Sequence, residues 1–166
     1  MSINFAGATN LTINGTTTLA SLDANGVYTL TNRPYFWVSQ SASPTAIGAD
    51  IIFNAVGQNV GNHYNATNGR FTAPVAGVYQ FTYRQLSQNA NAAGNYVPQA
   101  YVNGTSAWLP GYDQKAIANT WQSVQVQSLI ILNANDYVTM RWTAAPAGAT
   151  TYTDANYVQF SGHLVG

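Results

Sequence analysis

The run Val78-Tyr79-Gln80-Phe81-Thr82-Tyr83-Arg84 constrains this chain more than any other stretch. Large apolar and polar side chains alternate along it, which is the period of a strand with one buried face. Tyr79, Phe81 and Tyr83 then point one way, and Gln80, Thr82 and Arg84 the other. Upstream, Asn68-Gly69 predicts a tight turn, because both residues tolerate positive φ. Pro74 and Gly77 bracket a second corner just before the aromatic strand. From Phe53 to Tyr83 the pattern is therefore strand, turn, strand, corner, strand, with three rings anchoring one face.

The remainder of the chain repeats this grammar. Tyr35–Val38, Val97–Val102, Trp121–Leu132, Tyr137–Trp142 and Tyr157–Val165 all read as strands, with turn residues between them. Asn103-Gly104 marks a hairpin, and Asn133–Asp136 a turn. Within Trp121–Leu132, Val124, Val126, Ile130 and Leu132 share one parity. The polar stretch 85–95, the stretch from Trp108 to Lys115 and the stretch from Ala144 to Thr153 are expected to be loops. Helical periodicity is lacking, so the pattern favours a β-sandwich. Residues 1–33 are rich in Thr, Asn, Gly and Ala, with short alternating pieces such as Leu11-Thr12-Ile13. They are expected to form an N-terminal arm of short strands, serving either a partner or their own domain.

A longer-range pattern carries a family resemblance. Phe53, Asn59, Tyr64, Phe71, Gly77, Tyr79, Phe81 and Tyr83 follow the order aromatic, distant Asn, aromatic, Phe, then Gly-x-Tyr-x-Phe-x-aromatic. In this the chain resembles the globular head of complement C1q, a relative of the tumour necrosis factor fold. Leu132-x-x-Asn135-Asp136-x-Val138 is similar to the family's Leu-x-x-Gly-Asp-x-Val, with Asn in place of Gly. Asn is well suited to left-handed turn geometry. Phe160-x-Gly162-x-Leu164 is similar to the family's terminal strand, with His163 where an aromatic is usual. The resemblance covers residues 34–166. It implies an all-β, two-sheet antiparallel jelly-roll sandwich that closes as a homotrimer, with both chain ends near the base of the threefold. The core and trimer-forming residues it implies are Phe53, Tyr64, Phe71, Tyr79, Phe81, Tyr83, Phe160 and Leu164.

Composition narrows the function. Only 6% of the 166 residues are charged, and five basic residues balance five acids, all of them Asp. Ordinary soluble domains carry roughly 25%. A chain so weakly charged is poorly equipped for nucleic acid, where Lys and Arg supply most of the affinity. Hydrophobic residues make up 46%, enough to fill a core, and a low-charge surface does little to oppose self-association. No run approaches a bilayer span, and the first residues lack the pattern of a secretory leader.

Catalytic chemistry is not expected. Cys and Glu are absent, and His63 and His163 lack metal-type spacing. His163 carries one smaller expectation, a pH response if three copies meet at a threefold. No cofactor is expected. The Asp residues are scattered, so no metal site is assigned; Asp113 and Asp154 are the two candidates for calcium. Trp108 and Tyr112 are the candidate exposed binding aromatics for a glycan, while Trp37, Trp121 and Trp142 are assigned to core or subunit interface. The Asn-x-Thr triplets at Asn10, Asn14, Asn65 and Asn103 read as chance in a chain this rich in Asn and Thr.

These features lead to the expectation of a non-enzymatic trimeric protein of a virion surface, a bacteriophage capsid cement or decoration protein that stabilises the particle by trimeric packing. Its partners would be its own copies and the major capsid protein or a fibre shaft. The alternative is the receptor- or glycan-binding trimeric head of a phage tail fibre or of a bacterial or spore-surface collagen-like filament.

Overall fold

The computed structural model describes residues 21–22, 28–29, 33–40, 48–89, 94–107, 114–116, 120–151 and 156–166. The chain divides into two compact units, Met1–Arg33 and Pro34–Gly166. In the first, β1 (Ser21–Leu22) pairs antiparallel with β2 (Tyr28–Thr29).

The second unit is built from two antiparallel sheets, with no helix among the described residues. Its strands are β3 (Tyr35–Ser39), β4 (Ala55–Val60), β5 (Tyr64–Asn65), β6 (Arg70–Thr72), β7 (Gly77–Asn89), β8 (Gly94–Val102), β9 (Thr105–Ser106), β10 (Gln114–Ala116), β11 (Trp121–Leu132), β12 (Tyr137–Ala144), β13 (Ala149–Thr151) and β14 (Val158–Leu164). The first sheet runs β11-β7-β14-β3-β4, with β13 also on β7; the second runs β10-β8-β12-β6-β5, with β9 on β8. Consecutive strands mostly lie in different places or different sheets, the non-local order of a jelly roll.

The rings of the aromatic strand meet between the sheets. Phe36 stacks on Phe71 at 4.9 Å and on Tyr64 at 5.1 Å, and meets Phe160 edge-on at 4.9 Å. Phe71 contacts Phe81 at 5.6 Å and Tyr79 at 5.5 Å, while Phe53 lies 5.3 Å from Phe160. Offset and edge-on pairs of this kind add to the burial itself. Gly162 explains how they pack so closely: a Cβ there would sit 2.6 Å from Phe81 and 2.7 Å from Phe36. Only glycine leaves room at that inward position of β14.

Other residues of the sequence pattern have equally local reasons. The Asn59 carboxamide donates to Tyr64 O (2.8 Å) and accepts from Tyr64 N (3.0 Å), clamping the end of β4 to β5. Tyr64 Oη donates to Phe53 O at 3.1 Å, and Tyr79 Oη to Val75 O at 2.8 Å. Gly77 lies against the chain end, where Val78 N donates to Gly166 O (2.7 Å) and an added Cβ would stand 2.9 Å from that oxygen. Asn135 takes φ 72° in the β11–β12 turn, and Asn103 and Gly104 take φ 52° and 77° in the β8–β9 hairpin. Both are the left-handed geometry that the sequence predicts.

The stretch expected to be a loop after Arg84 is different. β7 continues to Asn89, paired along its length with β11 and, at its end, with β13. Gln85 and Ser87 on this extension are fully enclosed. They are tolerated because Tyr83 Oη donates to Gln85 Oε1 and Gln85 Nε2 donates to Ser87 Oγ. Likewise β13 lies within the expected loop from Ala144, and Lys115 belongs to β10.

Candidate functional site

Alternation in each sheet leaves one set of side chains facing outward, and the two outward faces differ in kind. In β11 the even positions from Val124 to Leu132 turn inward, so Trp121, Ser123, Gln125, Gln127, Leu129 and Ile131 face out. Leu129 is 60% exposed and Ile131 82%. By register, Leu129 lies beside Gln80, which neighbours His163 and then Tyr35, giving an outward row across four strands. Val75, Tyr157, Val165 and Val56 complete the exposed large apolar residues among those described. Every one of these belongs to a strand of the first sheet or lies within two residues of one. On the same face Trp37 lies flat on Gly57, whose missing side chain makes space for the indole.

Further along the same face the lining turns polar. An open groove of about 270 Å³ runs beside Arg84, with Ser123, Gln125 and Tyr157 among its walls. Arg84 donates to Asn156 O at 3.2 Å. The groove brings together no nucleophile with a base, and among the described residues no cluster of three His, Asp or other ligating side chains exists.

Among the described residues, the outward face of the second sheet carries no large exposed apolar side chain. Several of its polar groups are paired within the subunit. Asp50 Oδ1 accepts from Arg141 Nε (2.5 Å) and from Thr139 Oγ1 (2.8 Å), and Arg141 stacks over the Tyr101 ring at 4.2 Å. Arg70 stacks over Tyr137 at the same distance, 4.2 Å. At one end Asp136 ties two hairpins together, accepting from Asn103 Nδ2 (2.7 Å) and from Asn133 N (2.7 Å). The Asn103 amide, followed by the Asn133 N–H, holds the Asp136 carboxyl below its ordinary pKa.

The residues singled out from the sequence fall into three groups. Phe53, Tyr64, Phe71, Tyr79, Phe81, Tyr83 and Phe160 are all buried within a single subunit, and Leu164 packs partly buried against them. Burial pushes the Tyr64 and Tyr83 hydroxyls far above the usual phenol range. Their enclosure is complete without a second copy, because two sheets of one chain close over them. His163 sits on the outward face of β14, opposite Gln80 and Tyr35, whereas His63 is half-buried and shifted down by desolvation. Trp142 is buried, and Trp121 is 48% exposed. Trp108, Tyr112, Asp113 and Asp154 lie outside the described residues.

Sequence comparison fits this architecture. A C1q domain model matches residues 35–165. The chain belongs to the C1q domain family. Human complement C1q tumor necrosis factor-related protein 3 is 29% identical over 115 residues, which is 69% of this chain and 44% of that protein. The mouse collagen alpha-1(X) chain is 28% identical over 131 residues, 78% of this chain and 18% of that one. The chain thus spans less than half the length of these animal relatives. Among solved structures, the globular domain of zebrafish complement 1qA superimposes with a TM-score of 0.61 at 17% identity, covering 81% of this chain and 98% of that domain. Murine APRIL superimposes with a TM-score of 0.59 at 10% identity, covering 80% and 99%.

Proposed function

We propose that this C1q-like domain works without catalysis, as a homotrimer whose subunits meet through the outward face of the first sheet. The observation that carries this reading is the confinement of exposed apolar side chains, Leu129 and Ile131 foremost, to that sheet and its margins. Full burial of each such side chain is worth about 1.5–3 kcal/mol, and a threefold repeats it in every subunit. The surrounding Gln80, Gln125, Gln127 and Gln159 suit an interface, since carboxamides pair with each other without the desolvation cost of charge. Core residues such as Phe81 and Phe160 contribute indirectly, by fixing the sheet that presents this face. Residues 1–33 act as an arm toward a partner.

For the role of such a trimer we favour the surface of a virus particle, as a capsid cement protein. A trimer matches a local threefold of a capsid by symmetry, and a chain with 6% charged residues acts by area rather than by field. A second reading, the head of a collagen-like filament, is favoured by the likeness to a collagen chain. Electron microscopy of assembled particles incubated with the full chain distinguishes the two. Density at threefold positions of a capsid is the expected result, and binding only at the end of a fibre or filament would replace it with the second reading. Glycan-array binding that is lost in Trp108→Ala would point instead to sugar recognition.

A further inference from the structure

The interior of the sandwich changes character from one end to the other. Around Phe36, Phe71 and Phe81 it is purely aromatic and aliphatic. Beyond Tyr83 the inward positions of β7 become Gln85 and Ser87, and the facing sheet contributes Tyr96 and Trp142, whose rings meet edge-on at 5.1 Å. The Trp142 indole lies beside the Tyr83 hydroxyl, but its N–H makes no hydrogen bond of acceptable geometry there. Gln40 approaches from β3: it follows Ser39, which pairs with Gln159, and the adjacent Val158 pairs with Gln85. The inward polar set is thus Gln40, Tyr83, Gln85, Ser87, Tyr96 and Trp142, each at most 4% exposed.

Within this set the chain Tyr83–Gln85–Ser87 satisfies itself, but three atoms are left over. Gln40 Oε1, Tyr96 Oη and Trp142 Nε1 are buried and have no hydrogen-bond partner in the protein. Buried polar groups in folded proteins are almost always paired, with protein or with ordered water. The chemistry of the three is complementary. An indole N–H can only donate, a carboxamide oxygen can only accept, and a phenol does both. Water accepts from an indole N–H, donates to a carboxamide oxygen and does either with a phenol, so it can complete each of the three.

We infer that the polar end of the sandwich, bounded by Gln40, Tyr83, Gln85, Ser87, Tyr96 and Trp142, is a binding site for ordered internal water. The site lies between the sheets of one subunit, so it does not depend on the trimer reading. Bound water makes this end an interior hydrogen-bonded network instead of a dry core, joining Gln40, Tyr96 and Trp142 to the self-satisfied chain on β7.

Three measurements on the full chain test this. In a crystal structure, a density peak within hydrogen-bond distance of Trp142 Nε1 and Tyr96 Oη is expected, and a dry space there overturns the inference. Water-proton magnetic relaxation dispersion should show at least one long-lived water that the Trp142→Phe/Tyr96→Phe double variant lacks. An equal amplitude in the two proteins also overturns it. If the double variant fails to fold, the single variant Tyr96→Phe decides by sign. Loss of a hydrated hydroxyl lowers the thermal midpoint, whereas removal of a truly orphaned one raises it.

Discussion

The outward faces of the two sheets reach opposite solutions to the same problem. On the second sheet several strongly polar groups have partners close by. Asp50 holds Arg141 and Thr139, and Arg70 and Arg141 lie on tyrosine rings. Among the described residues that face exposes no large apolar side chain. The first sheet instead leaves Leu129, Ile131, Val165 and Tyr35 in water beside a field of glutamines. A face with that composition marks a candidate protein-interaction surface. The difference teaches that the aromatic core defines the fold, while a second, exposed apolar set is the basis of the proposed assembly.

The comparison can be broken in several ways. Phe81→Asp should remove both faces at once, because it places an unpaired charge among stacked rings; the expected result is unfolded or insoluble protein by circular dichroism. Phe81→Ala should fold but lose about 3–5 kcal/mol in a denaturant titration. The Leu129→Asp/Ile131→Asp pair attacks only the first face. It should retain the β spectrum while association weakens on the order of a thousandfold or more, read as a fall in sedimentation mass from three times 17.8 kDa to one.

On the second face, Asp50→Ala should cost about 1–3 kcal/mol of subunit stability by stripping a partly buried guanidinium of its partner, with no change in mass. The smallest effect is that of Asp136. Its folded pKa is depressed, so its contribution to stability is complete above the ordinary carboxylate range and is lost as pH falls through the lowered value. The acid limb of a melting-temperature profile should therefore be shallower in Asp136→Asn, with neutral-pH mass unaltered.

Much of the fold was legible because its determinants are local. Tyr79, Phe81 and Tyr83 announce the central strand by spacing, and Asn103-Gly104 announces a hairpin by its backbone freedom. Gly162 and Asn59 were legible only through the family pattern, since the reasons for them, two ring edges and a strand clamp, involve distant residues. The extension of β7 was hidden: Gln85 and Ser87 look like loop residues until each is seen to satisfy the other. The ion pair of Asp50 with Arg141 joins positions 91 residues apart, and no local signal marks it. The proposed association face was half-visible. Leu129-Ile130-Ile131-Leu132 is apolar on both parities, the mark of a strand covered on both sides, yet alternation draws attention only to the inward set.

A cysteine-free chain offers a direct test of the central claim, that the outward face of the first sheet is covered by other copies. Single cysteines placed by Ile131→Cys and Thr72→Cys report on the two faces separately, and both positions are exposed in the isolated subunit. In the native assembly at neutral pH, the cysteine at 131 should react with a maleimide at least about tenfold more slowly than that at 72. Dilute denaturant that dissociates but does not unfold the subunits should erase the difference. Equal rates in the native protein would contradict the account.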